Sequence, residues 1–257
     1  MDSEKLAIIG VPALALLFLV VGFLAHPPAE PGLEPAPPQA FDKELAAAYV
    51  QAGCWQCHAV STLQVELTEA FGEQAAGARP MGPDLAGVGS RYHPDWHAAH
   101  FWKPDDVYAG SQMPAQRQLF QPGTTKLNEQ GRKVVEFLLT LKSRSDINKP
   151  WPTDRVTAPA GDAERGRVLF QRECAGCHGA DAGGAGPAAR FMVAVRKPPA
   201  LAKGEFVYLP AVERPLDSIY TLITNGVPGS AMPSFASRLS EQQRADLAAW
   251  VAKVGGK

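Results

Sequence analysis

The chain has 257 residues, 46% hydrophobic and 20% charged, and 25 Lys+Arg against 26 Asp+Glu leave a formal net charge of −1. Without a basic field there is nothing to hold a polyanion, which argues against nucleic acid as a partner, and the composition fits neither a disordered chain nor a collagen-like fibre. With 24 Gly and 23 Pro, the expectation is an all-α chain whose helices are separated by long shaped loops.

Residues 6–25, LAIIGVPALALLFLVVGFLA, carry no charge. At about 1.5 Å per residue such a helix spans the roughly 30 Å hydrocarbon layer of a bilayer. The rival reading is a cleaved signal peptide, whose apolar core normally runs only about 7–15 residues. Residues 1–25 are therefore expected to form one transmembrane anchor. Lys5 and the terminal amine oppose Asp2 and Glu4, so flanking charge barely decides its orientation. Residues 26–40, HPPAEPGLEPAPPQA, hold six prolines and predict a semi-rigid, extended stalk.

Beyond the stalk the sequence repeats itself. Cys54-Trp55-Gln56-Cys57-His58 precedes Cys174-Ala175-Gly176-Cys177-His178 by 120 residues, and Gly110-Ser111-Gln112-Met113-Pro114 precedes Gly229-Ser230-Ala231-Met232-Pro233 by 119. Two unrelated motifs sharing one offset predict two similar domains. Each opens on a helical pattern (FDKELAAAYVQAG, GDAERGRVLFQRE) and closes on another (NEQGRKVVEFLLTLK, SEQQRADLAAWVAKV). In the last, Leu247, Trp250, Val251 and Val254 recur at helical spacing and Ser240 with Gln243 reads as a capping box. The predicted division is a first domain at 41–144, a Pro-containing linker at 145–160 and a second domain at 161–257. At about 100 residues each, such domains are small for an unaided core.

The two Cys-x-x-Cys-His motifs carry the chemistry. A zinc ribbon wants its Cys pairs about 15–20 residues apart, and a thiol redox pair wants a strand–helix setting; neither condition is met. Covalent haem attachment needs two thiols to add across the porphyrin vinyls and a histidine directly after them to reach the iron, which is what both motifs offer. Cys54, Cys57, Cys174 and Cys177 are thus predicted to hold two haem c groups, with His58 and His178 as iron ligands. A thioether in the sixth position gives a closed, raised-potential iron suited to electron transfer. Met113 and Met232 are the predicted thioethers, since each has the other as its counterpart in the repeat; the rivals Met81 and Met192 map onto Leu201 and Gly72.

These features together resemble two small helical c-type cytochrome domains with His/Met ligation. In that family a proline after the motif lends its carbonyl to the imidazole N–H; Gly82-Pro83-Asp84-Leu85 and Pro198-Pro199-Ala200-Leu201 resemble that segment, so the resemblance implies this role for Pro83 and Pro199. Residues 53–116, with Gly82 to Tyr92, Asp95-Trp96-His97-Ala98-Ala99-His100, Lys103 to Val107 and Gln112-Met113-Pro114, are similar to the membrane-anchored mono-haem subunit of cbb-type haem–copper oxidases. Residues 161–254 resemble generic electron-transfer cytochromes, among them the dihaem subunit of those oxidases. The resemblance implies an electron-transfer subunit rather than an enzyme, partnered by a donor protein and a polytopic catalytic subunit. It also implies a bacterial inner membrane crossed once, with both haem domains on the periplasmic face. Other readings are a tethered shuttle, a subunit of a nitric oxide reductase or dehydrogenase, and a dihaem peroxidase.

Among the remaining residues, His97 and His100 share a helical face and are read as packing residues of a partly exposed helix rather than as ligands. Arg91 is read as surface-solvated or paired with a haem propionate, Trp55 as packing at the haem edge, Trp250 as core, and His26 as interfacial.

Overall fold

The computed structural model describes residues 41–77, 81–142, 156–206, 215–227 and 229–256. The predicted anchor and stalk, and residues 145–155 of the predicted linker, lie outside the described residues. Among those described, the secondary structure is helical, with one isolated antiparallel bridge (Phe120 to Leu127) and no strand. None of these helices is long and apolar enough to cross a membrane.

The first half begins with α1, Lys43–Gln51, where the Asp42 carboxylate accepts the N–H groups of Glu44 and Leu45 and so satisfies two donors of the first turn. Short helices follow: α2 (Gln64–Phe71), α3 (Val88–Arg91), α4 (Pro94–Trp102) and α5 (Pro104–Val107). Pro94 starts α4 without wasting a donor, and the His93 imidazole accepts from the Asp95 N–H. α6, Glu129–Thr140, is capped by Asn128 and returns across α1, burying Val134, Phe137 and Leu138. The Tyr49 and Phe137 rings meet there at 5.0 Å in a core that also holds Leu67, Leu119 and Leu141.

The second half is built in the same order. α7 (Ala163–Glu173) runs directly into the one-turn α8 (Ala175–His178), then come α9 (Pro215–Asn225) and α10 (Glu241–Val254). The capping box of Ser240 and Gln243 is present. Leu247, Trp250 and Val251 are buried, Val254 partly so, and Trp250 packs on Phe170 of α7 with centroids 4.1 Å apart. Asp246 pins the start of α7 to α10: its carboxylate accepts from the Asp162 N–H (2.8 Å), Arg165 Nε (2.8 Å) and Nη2 (3.0 Å), and Gln242 Nε2 (2.9 Å). The chain enters this half along α9, where the Val156 and Ala158 N–H groups donate to Thr221 and Asp217.

The halves touch at named places. The buried Asp95 carboxylate of α4 accepts the backbone N–H groups of Val193 (3.0 Å) and Ala194 (2.9 Å). The Arg238 guanidinium lies 3.9 Å from the Tyr108 ring centroid. A Cβ added to Gly176 would collide with the Asp106 carbonyl, so only glycine allows α5 and α8 this approach.

Asp246→Ala is expected to lower stability by about 2 kcal/mol, measured as a fall in the denaturant midpoint, because it strands the Asp162 N–H and removes the charge-assisted bonds from Arg165. Hydrogen bonds from Arg165, opposed by burial, hold the Asp246 carboxyl at about 2. A carboxylate depressed on folding stabilises above its unfolded value near 4, so this contribution is lost as pH falls from about 4 through about 2.

Candidate haem sites

Both Cys-x-x-Cys-His motifs close the same tight turn. The Cys54 carbonyl accepts from the Cys57 N–H (3.2 Å) and the His58 N–H (2.9 Å); the Cys174 carbonyl accepts from Cys177 (3.1 Å) and His178 (2.9 Å). Each turn follows the opening helix of its half, so helix α1 or α7 fixes where the thiols start. All four cysteines are free. Burial pushes the Cys54 and Cys177 thiols up to about 11 and Cys174 higher still. A dithiol redox pair needs a thiolate near neutrality, so these thiols are unsuited to that chemistry. The three- or four-ligand cage of a structural zinc has no counterpart among the described residues.

At the first turn, His58 Nδ1 lies 2.8 Å from the Pro83 carbonyl. A carbonyl can only accept, so Nδ1 carries the proton and Nε2 keeps the lone pair that a metal would use. The Pro83 loop is laced to the turn by Gly82 N–H to the Cys57 carbonyl (2.7 Å) and Leu85 N–H to the Ala59 carbonyl (2.9 Å). Tyr49 Oη donates to the His58 carbonyl at 2.9 Å. Met113 packs on the hydrophobic cluster that also takes Cys54 and Trp55, whereas its rival Met81 is 83% exposed. Trp55 turns its indole N–H back onto the Val50 carbonyl at 3.2 Å.

At the second turn, a cleft of about 1210 Å³, counting its open mouth, is lined by Cys174, Cys177, His178, Pro199 and Met232 together. Its other walls are largely apolar, with Phe170, Leu201, Ile219 and Val251 among them. Burial pushes the His178 imidazole down to about 4, so it is neutral and able to ligate. Its Nδ1 is buried; the ring faces the Pro199 carbonyl without reaching hydrogen-bond geometry. Met232 and Met113 sit in matching turns, their N–H groups donating to Ser230 Oγ (3.1 Å) and Ser111 Oγ (3.4 Å). The buried Met192 lines the cleft as well, so here the rival thioether shares the site.

Other residues differ from the sequence reading. His97 is 2% exposed, and both His97 Nε2 and His100 Nδ1 are buried without a hydrogen-bond partner. α4 is therefore an interior helix. Arg91 is half-buried: Nη2 donates to the Ala86 carbonyl at 3.1 Å while Nε is buried and unpartnered. Trp250 is core. Among the cleft residues that sequence reasoning did not place there are Trp96, Val107, Glu173 and Arg238. Glu173 is buried and paired with Arg172 (2.6 Å) and Arg238 (2.7 Å); a lone acid directly before Cys174 was the one signal for it.

A neutral buried imidazole, two protonated thiols on the same turn, a thioether and apolar walls are the donor set a covalently held haem requires. Comparison with known proteins agrees. Residues 36–142 match the family model described as cytochrome c oxidase, mono-heme subunit/FixO, and residues 161–251 that described as cytochrome c oxidase, cbb3-type, subunit III. A cbb3-type cytochrome c oxidase subunit CcoP from Azospirillum brasilense is 32% identical over 124 residues, covering 48% of this chain and 35% of that protein. The chain thus spans about a third of that relative's length. Among solved structures, a chain of the Kuenenia stuttgartiensis reducing HAO-like protein complex covers 85% of this chain and 98% of its own, at 19% identity and a TM-score of 0.34, a likeness too loose to inform the fold. Each match lies over one Cys-x-x-Cys-His turn, so the chain places, in one polypeptide, a segment similar to the mono-haem subunit of cytochrome c oxidase and one similar to subunit III of the cbb3 type.

Gly82 offers a local test of the first site. A Cβ there would stand 2.6 Å from His58 Cε1 and 2.8 Å from Nδ1. Gly82→Ala is expected to push the imidazole off the Pro83 carbonyl and to weaken iron ligation at that haem alone, seen as partial conversion of half the low-spin signal in the electron paramagnetic resonance spectrum.

Proposed function

We propose that this chain is a membrane-anchored dihaem cytochrome that passes electrons from a donor protein to the catalytic subunit of a haem–copper oxidase of the cbb type. The observation that carries the reading is the pair of like-built Cys-x-x-Cys-His turns, each with a Gly-Ser-x-Met-Pro loop in its half, lying under two adjacent cbb3-oxidase family matches. Residues 41–144 and 161–257 are the two haem domains and 145–160 the linker between them. Residues 1–25 are the anchor and 26–40 the stalk, which keep both domains close to one face of the bacterial inner membrane, the periplasmic one.

Each haem, when bound, supplies a one-electron Fe(III)/Fe(II) couple. The polypeptide does the rest. Cys54 and Cys57, and Cys174 and Cys177, hold the two groups covalently. His58 and His178 present their imidazoles, that of His58 oriented by the Pro83 carbonyl and that of His178, kept neutral by burial, facing that of Pro199. Met113 and Met232 supply soft sulfur, which favours the reduced state. The apolar walls of the second cleft exclude water. A histidine and a methionine at each site would both be available to hold the group, leaving no place for a substrate, which supports electron transfer over peroxidase chemistry.

The first domain, similar to the oxidase mono-haem subunit and nearest the stalk, docks to the catalytic subunit; the second meets the donor. Replacing Cys174 and Cys177 by Ser is expected to abolish donor-driven oxygen uptake while artificial mediators still reduce the first haem. Equal loss with both reductants would contradict this order. The sixth ligand of the second haem is tested separately: Met232→Leu is expected to remove that haem's sulfur-to-iron charge-transfer absorption, and Met192→Leu to leave it in place.

A further inference from the structure

The second cleft is not built by the second half alone. Trp96 of α4 and Val107 of α5 stand in its wall beside Cys174, Cys177, His178 and Met232. Trp96 is 9% exposed and its indole is sandwiched between Tyr92 (centroids 3.8 Å apart, 18° between planes) and His100 (4.7 Å, 14°). His100 in turn lies within electrostatic reach of His58 and of Arg238; burial first, then these two groups, push it down to about 4. A three-ring stack of Tyr92, Trp96 and His100 therefore backs the wall of the second cleft.

The backbone holds this wall in register. Asp95, next to Trp96, anchors Val193 and Ala194; the Ala109 N–H donates to the Arg172 carbonyl at 3.4 Å; and Gly176, inside the second motif, packs on the Asp106 carbonyl next to Val107. Arg238, another cleft residue, ion-pairs with Glu173 while stacking over Tyr108 of the first half. Four separate contacts hold the first half against the second, one of them at Gly176 inside the second Cys-x-x-Cys-His turn.

We infer that Trp96 is a positioning residue of the second haem site, closing from the first half a cleft that the second half leaves open on that side. This rests on reading Cys174 to His178 as a haem-attachment turn. The physical consequence is electrostatic. An oxidised haem carries one more positive charge than a reduced one, and an apolar wall disfavours that charge where water would stabilise it. A sealed wall therefore holds the second haem at a higher midpoint potential than the second half could set unaided.

The test is a potentiometric titration of the full-length holoprotein, followed by absorbance, with the second haem's step identified as the one that Met232→Leu displaces. Trp96→Ala is expected to lower the second midpoint relative to the first, Trp96→Phe to restore most of the difference, and Val107→Ala to give a smaller shift in the same direction. A second midpoint unmoved by Trp96→Ala, in protein whose mass shows both haems attached, overturns the inference. Where Trp96→Ala does not fold, Val107→Ala decides, and no shift there overturns it equally. Absence of haem from Cys174 and Cys177 in the unsubstituted chain would instead overturn the attachment reading itself, so the two failures are told apart.

Discussion

One carbonyl accepting two amides organises each half of this molecule. When Cys54 O takes the N–H groups of Cys57 and His58, and Cys174 O those of Cys177 and His178, two thiols and an imidazole are confined to a single turn of chain. Neither the cysteines nor the histidine can drift apart without breaking backbone hydrogen bonds. The rest of each half answers to that turn: an opening helix delivers it and a closing helix packs against the opening one, while in the first half a proline-bearing loop is laced beneath the imidazole. Because the histidine is buried in the second half, desolvation keeps it neutral, which is the protonation state that ligation needs.

The interface between halves shows how two small domains escape the poor surface-to-volume ratio of about 100 residues each. Asp95 is the clearest instance. Buried carboxylates are unfavourable unless hydrogen-bonded, and this one is satisfied by two backbone N–H groups from the other half. Separating the halves would take both of these bonds from the carboxylate and leave the Ala194 N–H without its Asp95 acceptor. The arrangement of Trp96, Val107, Tyr108 and Arg238 gives the same surface a second role, since it forms part of the cleft in which the second haem is proposed to sit. Electron exchange between the two proposed sites would then need no diffusive encounter.

Much of the local architecture was legible in the sequence, and the reasons are local. Helices α1, α6, α7 and α10 follow apolar periodicity and are started by Asp42, Asn128, Asp162 and Ser240, side chains that can satisfy free N–H groups within the same segment. The Cys-x-x-Cys-His turns are likewise intrinsic to five residues. What could not be read are contacts between segments about 100 residues apart. Nothing in Trp96-His97-Ala98-Ala99-His100 announces that the helix is interior, because its histidines look polar until burial makes them neutral. Nothing in Gly176 announces the Asp106 carbonyl against which it packs. The competition between Met192 and Met232 is of the same kind: the repeat distinguishes them, whereas proximity places both in one cleft.

The most direct test of this account is the intact mass of the chain purified in detergent from cells that assemble c-type cytochromes. A polypeptide heavier by two haem groups, with peptide mapping that places one on Cys54 and Cys57 and one on Cys174 and Cys177, is the predicted result. A mass showing a single haem, or none, would contradict it.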